Sequence, residues 1–266
     1  MNDDNKVVYE ALNDTQKSGE SVSLATIIST QGSIPRHAGS KMLVRADGSI
    51  VGTVGGGTME QLVIKEALAA LSDGKTRFET YSLNSSDGAP GVCGGTAQIF
   101  IEPIGVIPTL LVIGVGHVGK AVAELGKWMG FRVIACDDRA ELCNENELPG
   151  LDEYVICKPD EVTEQIDVNS QTYIAAMTRG VDVDVELVPS LLESEAPYIG
   201  IIGSRRRWQV TSEKLKEHNP TDEQLARINS PVGLEIQAET PKEIALSIMA
   251  EIIMLRRGGT GKPMKV

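Results

Sequence analysis

Leu110-Leu111-Val112-Ile113-Gly114-Val115-Gly116-His117-Val118-Gly119 is a short apolar run that breaks into a Gly-x-Gly-x-x-Gly turn. Alone the turn is a weak signal, but its surroundings strengthen it. Lys120 to Met129 follows with a helical pattern, and Arg132 to Cys136 reads as the next strand. Asp137-Asp138 closes that strand 18 residues after the third glycine. In a dinucleotide-binding unit, Gly114, Gly116 and Gly119 allow a tight turn and a close backbone approach to a pyrophosphate, and Asp137 takes ribose hydroxyls. The plainer alternative is a Rossmann-like domain that keeps the turn for packing. His117 either faces a ligand or is a solvated turn residue, and Arg139 leaves the 2′-phosphate question open.

Working outward, further apolar runs at Tyr173 to Met177 and Tyr198 to Ile202 supply more strands, with helical segments between them. Alternation of this kind predicts a parallel sheet with helices on both faces. The last helix opens at Thr240-Pro241-Lys242-Glu243, a capping box with proline at the first helical position, and ends at Arg256-Arg257 before Gly258. Upstream the texture differs. An amphipathic helix with Val7, Val8 and Leu12 precedes short β-rich segments at Val22 to Thr30, Lys41 to Arg45, Ile50 to Val54 and Thr96 to Glu102. A helix from Met59 to Leu71 interrupts them, with Thr58-Met59-Glu60-Gln61 read as its capping box. The fold class expected is α/β: a small α+β domain over 1–105, a Rossmann-like parallel-sheet domain over 109–257, and a tail over 258–266. Gly105-Val106-Ile107-Pro108 is the expected linker.

The chain has 266 residues and a formal net charge of -12. Acid excess argues against nucleic-acid or membrane-surface binding, which need a broad basic face. No apolar run approaches membrane-spanning length. The start, Met1-Asn2-Asp3-Asp4-Asn5, is unlike a secretory signal, so a cytoplasmic location is expected. Cys93, Cys136, Cys143 and Cys157 lack Cys-x-x-Cys spacing, and no metal site is read from them.

Against that acidity, Tyr198-Ile199-Gly200-Ile201-Ile202-Gly203-Ser204-Arg205-Arg206-Arg207 gathers three arginines where a strand turns into a helix. Cations oppose the positive end of the helix dipole, so such a cluster makes sense if an anion such as a phosphate or pyrophosphate sits there. Gly203, Ser204, Arg205 and Arg206 are the expected contacts. Two further turns carry candidates. Gly55-Gly56-Gly57 is entropically costly and implies a backbone approached closely by something; Glu60 beside it also complements the dipole. Cys93 lies between glycines in Gly91-Val92-Cys93-Gly94-Gly95 and reads as a nucleophile, a sulfur carrier, a ligand contact, or a turn cysteine with no chemistry.

Taken together these motifs resemble the XdhC/CoxI family of molybdenum hydroxylase accessory factors, along nearly the whole chain. The resemblance rests on Gly32-Ser33-Ile34-Pro35-Arg36, Gly52-Thr53-Val54-Gly55-Gly56-Gly57-Thr58-Met59-Glu60, Cys93-Gly94-Gly95, Gly114 to Gly119, Asp137-Asp138-Arg139, Gly203-Ser204-Arg205-Arg206, Pro231-Val232-Gly233-Leu234 and the helix from Thr240. It implies a chaperone that binds the molybdenum cofactor (molybdopterin or its dinucleotide form) as cargo. It also implies support of the cofactor's sulfuration through a cysteine desulfurase, delivery to an apo-molybdenum hydroxylase of the xanthine dehydrogenase type, and a homodimer. Cys93 would stand near the sulfur or the metal. Two positions depart from many relatives: Thr58 stands where they have cysteine, and Thr178-Arg179-Gly180-Val181-Asp182 replaces a histidine-rich segment. The alternative is an NAD(P)-dependent oxidoreductase or a dinucleotide-sensing module using the Gly114 turn.

Overall fold

Alternating side chains organise the first unit. The computed structural model describes residues 3–18, 20–82 and 94–265, and the chain divides into two compact units, Met1–Val106 and Ile107–Val266. In the first, β1 (Val22–Gly32), β2 (Lys41–Arg45), β3 (Ile50–Gly52), β4 (Arg77–Ser82) and β5 (Gly95–Ile104) form an antiparallel sheet in the order β3-β2-β1-β5-β4. Successive strand residues point to opposite faces, and both faces here are covered. Ala25 and Ile27 join Met42, Val44, Ile99 and Ile101 against α2 (Gly57–Asp73). Leu24, one step out of phase, joins Val22, Leu43 and Val8 of α1 (Asp3–Ser18). Ser23 is buried on the α2 side because its hydroxyl donates to the Ala67 carbonyl at 2.8 Å. A bulge between Ile27 and Ser29 turns Ile28 outward.

The start of α2 departs from the sequence reading. The helix begins at Gly57 with Gly56 as N-cap and no side-chain cap bond. The expected Thr58 capping box is therefore not formed, because the glycine turn enters the helix earlier and places Thr58 inside it. Strand β4 has no place in the sequence reading because its edge position leaves most of it exposed, so no apolar periodicity marks it.

In the second unit β6 (Thr109–Ile113), β7 (Arg132–Asp137), β8 (Glu153–Ile156), β9 (Thr172–Ala176), β10 (Tyr198–Ile201) and β11 (Ile228–Asn229) form a parallel sheet in the order β11-β10-β9-β6-β7-β8. The central strands read as unbroken apolar runs because helices cover both faces. Leu110, Val112, Val133, Ala135 and Tyr173 pack against α3 (His117–Trp128) and α8 (Pro241–Arg257). Leu111, Ile113, Ile134 and Ile174 lie in the cluster formed with residues of α4 (Val162–Gln165), α5 (Val181–Leu192) and α6 (Arg205–Leu215), which Leu225 of the short α7 (Asp222–Ala226) packs against. The box predicted at α8 is present: the Thr240 hydroxyl accepts from the Glu243 N–H and the Glu243 carboxylate accepts from the Thr240 N–H.

The chain runs from β6 outward through β7 and β8, then returns to β9 on the other side of β6. Where strand order reverses in this way, a crevice opens beyond the carboxyl ends of the two central strands. In this unit that place lies beyond Ile113 and Ala176.

Candidate functional site

The three glycines of the turn after β6 do different physical work. Gly114 has φ +89°, and a Cβ there would stand 2.6 Å from the Met177 carbonyl oxygen, so the backbone just after β9 permits no side chain. Gly119 is pressed on the turn itself: its Cβ would lie 2.0 Å from the Gly114 oxygen. Gly116 is the opposite case, with ordinary φ of -68° and no protein atom within 4 Å of an added Cβ. Its glycine is demanded neither by strain nor by crowding in the protein, and the space above it is open to a ligand. Gly116 caps α3 without a side-chain bond, and the first turn of α3 carries no acid. His117 is exposed at that turn.

Asp137 ends β7 and is only 4% exposed, and its carboxylate is already committed. Oδ2 accepts the Val115 N–H at 2.8 Å and the Arg139 Nη2–H at 2.9 Å. Oδ1 accepts the Arg139 backbone N–H at 3.0 Å and Nε–H at 2.8 Å. A carboxylate offers about four acceptor sites, so the expected ribose contact meets a group that is braced to the glycine turn instead. Next to it, Asp138 accepts both Arg179 Nη1–H and Nη2–H at 2.7 Å. That bridge joins the segment after β7 to the segment after β9, on either side of β6. The Arg179 guanidinium lowers the Asp138 pKa from 3.8 to about 2. Gly114, Asp137, Asp138, Arg139, Thr178 and Arg179 line one cleft at this edge of the sheet.

The arginine run separates into two kinds of residue. Ser204 caps α6, its hydroxyl accepting the Arg207 N–H at 3.2 Å. Arg205 and Arg206 are exposed and make no ion pair among the described residues. Arg207 folds back over Gly203, where a Cβ would come within 2.8 Å of its Cδ. Its Nε and Nη2 donate to the two oxygens of Asp184 at 2.9 and 2.8 Å, and Nη2 also donates to the Thr178 hydroxyl at 2.6 Å. Asp184 is 1% exposed and accepts further bonds from Thr178 and Thr211. The picture of three guanidiniums sharing one anion is thus corrected: the buried carboxylate of α5 claims Arg207, and two remain outward. Sequence reading passed over this network. Its one trace is that Asp184, one of three acids between Val181 and Val188, shares the helical face of Leu187, Val188 and Leu191, where an acid needs a buried cation.

In the first unit Gly55, Gly56 and Gly57 all have positive φ (147°, 81° and 63°). Added Cβ atoms at Gly56 and Gly57 would meet nothing within 4 Å, so backbone conformation alone dictates glycine there. The Thr53 hydroxyl donates to the Glu60 carboxylate and accepts the Gly55 N–H at 3.1 Å, which ties the turn to the first turn of α2. Cys93 lies outside the described residues. Cys136, Cys143 and Cys157 are buried free thiols, and burial pushes the pKa of each upward, away from the reactive thiolate. Among the described residues no group of three or more His, Cys, Asp or Glu side chains is arranged to hold a metal ion. No helix among them is long and apolar enough to cross a membrane.

Comparison with known proteins agrees with this architecture. Residues 110–252 match the model of the XdhC Rossmann domain, and residues 15–82 match that of the XdhC and CoxI family. YqeB of Escherichia coli (strain K12) is 36% identical over 241 residues, 90% of this chain and 44% of that protein. A probable xanthine dehydrogenase subunit of Bacillus subtilis (strain 168) is 31% identical over 162 residues, 61% of this chain and 47% of that one. The chain thus spans less than half the length of these two relatives. Molybdenum cofactor insertion chaperone PaoD of E. coli is 23% identical, with 96% of this chain and 90% of PaoD covered. A crystal structure of a xanthine dehydrogenase protein from Bacillus halodurans shares the fold, with a TM-score of 0.51, 24% identity, and 95% and 96% of the two chains covered. A parallel sheet with an open glycine turn, an antiparallel unit before it, and a family model matching more than half the sequence lead to one conclusion: this chain belongs to the XdhC and CoxI family.

Proposed function

We propose that the chain is an accessory chaperone that carries the molybdenum cofactor as cargo, supports its sulfuration, and inserts it into an apo-molybdenum hydroxylase of the xanthine dehydrogenase type. The observation that carries this reading is the pair Arg205 and Arg206, exposed and without carboxylate partners among the described residues of a chain of net charge -12. They stand at the start of α6, after β10, two strands from β6 and its open Gly116 turn. Strand spacing puts the ends of β10 and β6 about 10 Å apart, and α3 and α6 leave that edge on opposite faces of the sheet, so their starts flank the carboxyl edge where a cargo bearing a phosphate or pyrophosphate would lie. Guanidinium forks and unpaired helix N–H groups both favour phosphate oxygens. The names of two relatives, an insertion chaperone and a xanthine dehydrogenase subunit, support the same reading. Gly55, Gly56 and Gly57 would admit the pterin or nucleotide, Cys93 would lie near the metal or its sulfur, and a cysteine desulfurase would be the partner that supplies the sulfur.

The test is retention of cargo. After desalting, Arg205→Ala/Arg206→Ala is expected to hold much less molybdenum per chain than wild type by elemental mass spectrometry. Unchanged retention overturns the clamp. The dinucleotide-binding alternative draws on the open Gly116 turn, and fluorescence titration with NADH distinguishes it: tight binding favours that reading, silence removes it.

A further inference from the structure

We propose that the crevice at the carboxyl edge of the parallel sheet selects a ribonucleotide phosphorylated at the ribose 2′ position over one with free 2′ and 3′ hydroxyls. The argument starts from what this edge offers a ribose. Hydroxyl-reading sites of this architecture present a free carboxylate at the end of the second strand. Here that carboxylate, Asp137, is buried and accepts four N–H bonds, from Val115 and from three nitrogens of Arg139. It has no lone-pair site left for a hydroxyl proton.

Two guanidiniums and one carboxylate, Asp138, are the charged groups with exposed surface that reach the cleft. The side chains of Arg139 and Arg179 are 36% and 51% exposed, and both line it. A guanidinium has five N–H donors, so each keeps donors beyond those its carboxylate uses. The remaining N–H donors of two guanidiniums lining one cleft match the oxygens of a phosphomonoester, and a nearby arginine is what accommodates a 2′-phosphate in this fold. Asp138 is then a stand-in. Its two-point bond to Arg179 lies at the partly exposed mouth of the cleft, where an incoming dianion would compete with the carboxylate for the same guanidinium. A phosphate dianion would take over Arg179 and release Asp138 to solvent. Gly116, with no protein neighbour above it, leaves room for the 5′-phosphate side of the same nucleotide.

This inference does not depend on the cargo reading, because its residues are Arg139, Arg179 and Asp138 rather than Arg205 and Arg206. The experiment is calorimetric titration of the whole chain with adenosine 2′,5′-bisphosphate and, separately, adenosine 5′-diphosphate. The two probes carry equal numbers of phosphates and differ in where the second one sits. The 2′-phosphorylated probe is expected to bind roughly tenfold tighter or more, the scale of one added charged hydrogen-bond set. Arg179→Ala, exposed enough to leave folding intact by circular dichroism, should bring the ratio near one. Asp138→Asn, which frees Arg179, should strengthen binding of the 2′-phosphorylated probe. Equal affinities, preference for the 5′-diphosphate, or no binding of either probe overturns the proposal. A preparation that retains molybdenum yet shows no such preference refutes this inference and leaves the chaperone reading standing.

Discussion

Arg207→Ala should be the most damaging single change in the arginine run, although three identical residues stand side by side. The substitution removes the two-point bond to Asp184 and the bond to Thr178. It leaves a carboxylate 1% exposed with only hydroxyl partners. Removing one partner of a buried pair costs about 3–5 kcal/mol. Arg207 keeps 20% side-chain exposure, so water reaches part of the gap and the lower end applies. For a unit of this size each kcal/mol lowers the midpoint by about 2–4 °C, giving a drop of about 10 °C in thermal unfolding followed by circular dichroism. Arg205→Ala and Arg206→Ala should each stay within about 0.5 kcal/mol of wild type. Arg207→Lys should fall between, since an ammonium keeps the charge and loses the fork. If Arg207→Ala shifts the midpoint no more than Arg205→Ala does, the division of the run into one buried tie and two outward clamps is wrong.

Two further outcomes follow from the crevice. Gly119→Ala places a Cβ 2.0 Å from the Gly114 oxygen and should cost about 1–3 kcal/mol or more of stability, whereas Gly116→Ala should leave the melting midpoint unchanged and weaken ligand binding; equal loss of stability in both would contradict the geometry. The Asp138 carboxyl, followed by carbon NMR, should titrate near about 2 rather than 3.8 and return toward 3.8 in Arg179→Ala. Because the folded value is depressed, the Asp138–Arg179 contribution is present above pH 3.8 and fades as pH falls through about 2; a midpoint already at 3.8 in wild type would show that the bridge does not persist in solution.

The order of the elements was legible because periodicity is a local property. The apolar runs at Leu110, Arg132, Tyr173 and Tyr198 are strands of one parallel sheet, and the glycine turn opens α3 where the spacing indicated. Edge strand β4 escaped because its side chains are largely solvated, β8 because its four residues, three half-buried and one exposed, show no alternation, and β11 because two residues carry no period. The α2 start was misread because a backbone turn of three positive-φ glycines overrode the local capping preference of Thr58.

What the sequence determined by itself was the fold class and the glycine turn that opens α3, since both depend on which residue types recur at which interval; the crevice follows from the strand order, which only the tertiary structure supplies. Which charges are available there was decided only by tertiary structure. Arg205, Arg206 and Arg207 are indistinguishable as letters, and Asp137 and Asp138 nearly so. Packing brings Asp184 from α5 to Arg207, Arg179 from beyond β9 to Asp138, and Val115 and Arg139 to Asp137. Each partner lies far along the chain or depends on a turn closing first, and a carboxylate's chemistry is set by the donors that reach it.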